Sequence, residues 1–242
     1  MRTTTAMAAA ALLIGFSKTA LGGLAVISVA IFATVLPARQ STGAILVLLI
    51  VGDLVACTAY RRHADWRLIG RLLPAVLPGL VLGWAFLRVV DDTLLRRTIG
   101  AVLLVLVVLQ LWVRTRAEVS ATAHERPLAA FGAGTGAGFA TMTANAAGAV
   151  MALYLSAAGI EKRRFVGTNA WFFLIVNLVK VPFSVSLGLI GRPDVVRAGW
   201  LAPVIVLGGW LGWHAVGRIS QRRFDTAVLL ASAVAALALL VR

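Results

Sequence analysis

The chain has 242 residues, 60% of them hydrophobic and only 13% charged, with a mean hydropathy of +0.94. A soluble domain carries about 25% charged residues, so this composition excludes a water-soluble globule and indicates an all-α, polytopic helical membrane protein. The net charge of +14 does not indicate a nucleic-acid partner. The basic residues fall in short gaps between apolar runs, at Arg61-Arg62, Arg96-Arg97, Lys162-Arg163-Arg164 and Arg222-Arg223, where they suit an anionic membrane surface.

Taken in chain order, the apolar runs cover residues 6–35, 41–60, 69–90, 98–113, 127–158, 165–190, 198–217 and 224–241. One crossing of the hydrocarbon core takes about 20 residues, and most runs fit that length. Runs 6–35 and 127–158 are longer, and as straight helices they would reach roughly 45–48 Å. Each is therefore expected to be strongly tilted, broken or re-entrant. Both carry glycines and small polar residues near the middle: GFSKTALGGL at 15–24 and GFATMTANAAG at 138–148. The first run follows Arg2 as a signal peptide would, but it continues past a typical h-region without a good cleavage site, so it reads as retained.

The two long runs head halves that resemble one another. Gly15-Phe16 recurs as Gly138-Phe139, and Arg39, Gly43, Leu54 and Val55 as Arg163, Gly167, Leu178 and Val179. Asp65, Gly70, Leu72, Pro74, Gly79, Gly83 and Trp84 recur as Asp194, Gly199, Leu201, Pro203, Gly208, Gly212 and Trp213. The expected organisation is one transmembrane domain of two repeats, 6–116 and 127–242, joined by a short polar linker at 117–126. Each repeat has about four hydrophobic segments, the first broken or re-entrant. If both long runs return to the side they entered from, most basic residues, including Arg61 to Arg71, Lys162 to Arg164 and Arg218 to Arg223, gather on one face. The positive-inside rule makes that face cytoplasmic, and the halves become inverted repeats. Gly79-x-x-x-Gly83 and Gly208-x-x-x-Gly212 read as close helix packing.

Lys18, Asp53 and Lys180 are the formally charged residues deep within apolar runs. Each would cost roughly 2.5–3.5 kcal/mol if it faced lipid at a helix centre, so all three are expected inside, either as a locking salt bridge or as an anion or proton site. Thr19, Thr141, Thr143, Asn145, Thr168, Asn169 and Asn177 add neutral hydrogen-bonding groups suited to a site that binds and releases. With the three charges they form the candidate substrate site. Gly15, Gly22, Gly23, Gly136, Gly138 and Gly148 are expected to break the long helices, exposing half-helix N-termini whose dipoles attract an anion.

Other chemistry finds little footing. Gly132-Ala133-Gly134-Thr135-Gly136-Ala137 fits G-x-G-x-x-A but lacks the strand and acidic residue of a dinucleotide site. No metalloprotease, esterase or P-loop motif occurs. Cys57 is alone and reads as a small buried residue. His63 and His124 read as solvated loop residues, and His214 as packed and hydrogen-bonded.

At this point the residues resemble those of the TauE/SafE family of membrane transporters, over nearly the whole chain. The resemblance is carried by GFSKTALGG and GAGTGAGFATMTANAAG, by Asp53-x6-Tyr60-Arg61-Arg62 with the Pro-x4-Gly-x3-Gly helix that follows, and by Val166-Gly167-Thr168-Asn169-Ala170-x6-Asn177-x2-Lys180-x-Pro182. It implies a multi-pass plasma-membrane protein that exports small anions of the sulfite or organosulfur type, is not an enzyme and needs no metal or cofactor. Lys18 departs from the small residues expected there and would add an anion contact. The partners expected are the substrate anion, a proton exchanged at Asp53 and the lipid bilayer, and a homo-oligomer is compatible with the sequence. The competing class is a non-transporting membrane scaffold, which accounts for the packing glycines but not for the buried charges.

Overall fold

The computed structural model describes residues 2–20, 25–115, 127–148, 151 and 162–215. Gly22, Gly23, His124, the linker and the run at 224–241 lie outside the described residues. Eight helices of eleven residues or more are described: α1 (Arg2–Thr19), α2 (Ala25–Val35), α3 (Ala38–Ala59), α4 (Trp66–Val89), α5 (Asp92–Thr115), α6 (Pro127–Ala144), α7 (Lys162–Ser186) and α8 (Arg192–Ala215). Four segments are long and apolar enough to cross a membrane: Ala38–Ala59, Trp66–Val89, Arg163–Ser186 and Arg192–Ala215. The first and third, in α3 and α7, are 61% buried against 39% and 33% for those in α4 and α8. So α3 and α7 form the inner pair.

Helix ends are fixed by specific groups. Asp65 caps α4, its Oδ1 accepting from the N–H groups of Arg67 (3.1 Å) and Leu68 (3.2 Å), which satisfies two of the donors a helix start leaves open. Asp92, at the start of α5, accepts from the backbone N–H groups of Ala38 and Arg39, both at 2.9 Å. Arg39 in turn donates to the carbonyls of Leu87 and Val90, so one cluster ties together the start of α3, the end of α4 and the start of α5.

The long run at 6–35 is divided between α1 and α2. The Ala25 N–H donates to Ser17 Oγ (3.1 Å) and the Ser28 hydroxyl to the Ala10 carbonyl (2.9 Å), so α2 runs back along α1 instead of prolonging it. The run at 127–158 is interrupted after Ala144. There Asn145 takes φ = 51°, and the Ala146 N–H reaches back to the Ala140 carbonyl at 3.3 Å. Asn is among the few residues with a side chain that tolerate this left-handed end.

The glycines expected to break the helices correct the sequence reading. Gly15 lies inside α1, and Gly136 and Gly138 inside α6. A Cβ on Gly15 would overlap the Ile205 carbonyl of α8, and one on Gly138 the Val76 carbonyl of α4. These two permit backbone contact, while nothing lies within 4 Å of a Cβ at Gly136. Among the described glycines of this set, Gly148 stands just beyond an interruption. Contact along α1 and α8 continues from Leu12 with Gly208 to Phe16 with Gly212, and along α4 and α6 from Ala75 with Gly134 to Gly83 with Met142. The Gly-x-x-x-Gly pairs are therefore the seats of the two tightest helix pairs.

His214 is exposed on the outer face of α8, its Nδ1 2.9 Å from the Trp210 carbonyl and its ring between Trp210 and Trp213. His63 is half-buried beside Tyr60, not solvated. Cys57 is buried.

Candidate functional site

The three intramembrane charges meet between α1, α3 and α7. Lys18 sits in the last turn of α1, where a cation complements the helix dipole. Its stem crosses α3 at Gly52, with Cγ close to where a Cβ would stand. Its ammonium lies 2.5 Å from Asp53 Oδ1 and 4.7 Å from the centre of the Phe173 ring. Asp53 has no solvent exposure. Its second oxygen accepts from Asn177 Nδ2 at 2.7 Å, so both carboxylate oxygens are engaged.

Lys180 lies one turn beyond Asn177 on α7. It donates to the Thr141 carbonyl (2.7 Å), Thr141 Oγ1 (3.2 Å) and Asn145 Oδ1 (2.6 Å). A longer fourth contact reaches Asn177 Oδ1 at 3.5 Å. All four acceptors are neutral, and the three shorter ones lie at or just past the C-terminal end of α6, where the helix dipole is negative. Asn145 also donates through Nδ2 to the Thr42 carbonyl at 3.1 Å, which ties the interrupted end of α6 to α3. Within this cluster two ammonium groups face one carboxylate, a surplus of one positive charge. Burying each ion costs several kcal/mol, which Coulomb attraction and hydrogen bonds must offset.

A cavity of about 30 Å³ adjoins the cluster, room for a water or two. Ser17, Lys18, Thr141, Asn145, Asn169 and Asn177 supply its polar lining, Leu49 and Phe173 much of the apolar part. Ala25, the first residue of α2, and Gly148 also border it. Asn169 is nine-tenths buried, and its Oδ1 has no hydrogen-bond partner among the described residues.

Of the residues singled out from sequence, Lys18, Asp53, Thr141, Asn145, Asn169, Asn177 and Lys180 come together here. Three others do not. Thr19 donates to the carbonyls of Gly15 (3.2 Å) and Gly209 (2.7 Å), joining α1 to α8. Thr143 donates to the Phe139 carbonyl within α6 (2.8 Å), and Thr168 Oγ1 accepts from the Asp65 N–H (2.9 Å). A hydroxyl that finds a backbone partner spends its hydrogen bond on packing. Sequence reading missed Phe173. The signal for Phe173 was available, since 169, 173, 177 and 180 recur at helical spacing along one face of α7.

Among the described residues no group of His, Cys, Asp or Glu could hold a metal ion. Long apolar helices enclosing a charged polar centre define the chain as a multi-pass helical membrane protein. Its family follows from comparison of the sequence: the family model described as sulfite exporter TauE/SafE matches residues 7–239, and the chain belongs to that family. Membership places it among membrane transporters associated with anion export. No curated protein and no solved structure gives a significant match.

Proposed function

We propose that the protein is a secondary transporter that exports small anions, of the sulfite or organosulfur type, through the cavity beside Lys18. The observation that carries this reading is the charge balance of the cluster, where Lys18, Lys180 and Asp53 leave one positive charge uncompensated by any described side chain. A scaffold has no use for that surplus, whereas an anion neutralises it. The N-terminus of α2 borders the cavity, adding a favourable dipole for negative charge.

In this reading the anion takes the Lys18 ammonium from Asp53, and Asp53 accepts a proton as it is released. That exchange couples anion movement to proton movement. The chain comprises two repeats of inverted topology. The matching helix pairs α1–α8 and α4–α6 support this, as does the reversal of α2 along α1. The run at 6–35 then returns to the membrane face it entered from, and rocking of one half against the other opens the cavity to each face in turn.

The test is anion flux in proteoliposomes with Lys18→Ala and Lys180→Ala. Both variants are expected to lose flux while remaining folded; normal flux in both overturns the site. A cysteine at Ser17, which lines the cavity, is expected to react with aqueous thiol reagents from at least one face. Complete protection from both faces would favour the scaffold.

A further inference from the structure

Two buried donors bear on which oxyanions the cavity takes, an inference that rests on the anion-transporting reading. The first is the amide of Asn169. Its Oδ1 is fully buried, so the atom of this amide that meets the cavity is Nδ2. Nδ2 donates to no described residue, although Asn169 is nine-tenths buried. The second is Ser17, buried on α1 and bordering the same cavity. Its Oγ accepts from the Ala25 N–H, and its hydroxyl hydrogen has no acceptor among the described residues. A buried donor without an acceptor is costly. Two of them, from different helices and beside the Lys18 ammonium, suit a guest that presents acceptors.

The acceptors near the cavity are in the opposite condition. The Thr141 carbonyl, Thr141 Oγ1 and Asn145 Oδ1 already accept from Lys180, and Asn177 Oδ1 lies 3.5 Å from the same ammonium. Asp53 Oδ1 is covered by Lys18. In the exchange proposed above Asp53 gains a proton as Lys18 leaves, so it offers a guest no free carboxylate in either state. A hydroxyl on the guest would therefore face donors, or oxygens already engaged. An oxyanion whose oxygens all accept fits this lining; one that carries an O–H leaves that hydrogen stranded.

We propose that, at a given charge and shape, the cavity selects oxyanions that carry no O–H group, with Asn169 Nδ2 and the Ser17 hydroxyl as the donors that set this specificity. Lys18 supplies attraction for any anion. Asn169 and Ser17 discriminate by hydrogen-bonding sense, and the ligand class narrows from small anions to oxyanions that only accept.

Two matched pairs test this. Nitrate and hydrogencarbonate are planar, monovalent and close in size, and only the second carries a hydroxyl. Sulfate and hydrogenphosphate are the corresponding tetrahedral, divalent pair. Binding of each, with sulfite as reference, is measured calorimetrically on the purified full-length protein in detergent. The pH is mildly alkaline, so that the second member of each pair keeps one O–H. Inhibition of sulfite flux in proteoliposomes gives the same order independently. Nitrate is expected to bind tighter than hydrogencarbonate, and sulfate tighter than hydrogenphosphate, by at least about ten-fold. Asn169→Leu is expected to weaken nitrate and sulfate and to shrink each preference to within about three-fold. Ser17→Ala should shrink it in the same direction.

Equal affinities within any pair that binds overturn the proposal, as does a preference for the member with the hydroxyl. A structural role for Asn169 or Ser17 would weaken both members of a pair alike; an unchanged ratio in both variants removes these residues from the assignment. If Asn169→Leu does not fold, Ser17→Ala is read in its place, and the ratio in the unaltered protein decides the selectivity in either case. Sulfite binding with none of the other four bound also overturns the proposal, because something other than a hydroxyl then excludes them. Absence of binding by all five anions, with flux also absent, is failure of the transporter reading itself and is distinguishable from these outcomes.

Discussion

Asn177 donates to Asp53 across 2.7 Å although the two lie 124 residues apart, and they occupy matching positions when the halves of the sequence are aligned. In the proposed two-repeat organisation, a contact between matching positions falls beside the pseudo-symmetry axis. The same alignment sets Lys18 opposite Thr141 and Lys180 opposite Ala56. Each half therefore contributes one lysine to the centre, from a different helix and with different partners.

Removing Asp53's charge leaves Lys18 as an unpaired buried cation. Asp53→Asn is expected to destabilise the protein by about 3–5 kcal/mol, the usual cost of breaking one side of a buried pair. The amide retains an oxygen for Asn177, so the loss is assignable to Lys18. Lys18→Met combined with Asp53→Asn should recover most of it. Denaturant unfolding in detergent of the two single variants and the double gives the coupling energy; additive losses would show that the pair is not a stabilising unit.

Two glycines of α8 separate packing from propensity. A Cβ at Gly208 would overlap the Leu12 carbonyl, whereas nothing lies within 4 Å of one at Gly199. Gly208→Ala is expected to cost about 1–3 kcal/mol by forcing α1 away from α8. Gly199→Ala should be neutral or stabilise by about 0.5–1 kcal/mol through helix propensity. Thermal unfolding of the two variants in one detergent checks the sign of each.

The history of these glycines also shows what the sequence made legible. The membrane class, the helical segments and the three buried charges were readable because lipid penalises polar groups so heavily that few survive without a reason. Both interruptions fall within the stretches at 15–24 and 138–148, but the roles of the single glycines there were not readable. Glycine marks both a helix break and a close approach, and only the neighbouring backbone tells them apart: at Gly15 that neighbour is Ile205. The end of α6 was written in Asn145, a residue read from sequence only as a polar liner. Thr19, Thr143 and Thr168 were misassigned to the site because a threonine's partner can be a carbonyl or amide that no spacing rule identifies. The same holds for Asn169, whose lack of a partner emerges only from the fold.

Tyr60 fixes the end of α1 just beyond Lys18: its hydroxyl donates to the Thr19 carbonyl at 2.8 Å. Tyr60→Phe should cost about 1 kcal/mol and weaken anion affinity by loosening the turn that presents Lys18. Burial holds the Tyr60 phenol above its ordinary pKa. A raised folded pKa means that its stabilisation is full below the unfolded phenol's pKa and is lost as pH rises through the folded value. The unaltered protein should therefore lose more stability than Tyr60→Phe in the alkaline range above about pH 10, and parallel unfolding curves at neutral and alkaline pH will show whether it does.

Asn145 does two things that substitution can part. Its backbone adopts φ = 51° to end α6, and its side chain bridges Lys180 and the Thr42 carbonyl. Asn145→Gly keeps a residue at ease in the left-handed region but leaves the Lys180 ammonium one acceptor short, a loss of about 1.5–3 kcal/mol for a charged hydrogen bond. Asn145→Leu loses the same bonds and adds about 1–2 kcal/mol of backbone strain. The expected order of stability is therefore Asn, then Gly, then Leu, with Gly the more instructive variant. If Asn145→Gly folds and still binds anion with unaltered affinity, the link from α6 through Asn145 to Lys180 is structural. If it folds and binds weakly, the interrupted end of α6 belongs to the substrate site, through the oxygen that oriented Lys180 and the amide that held the Thr42 carbonyl.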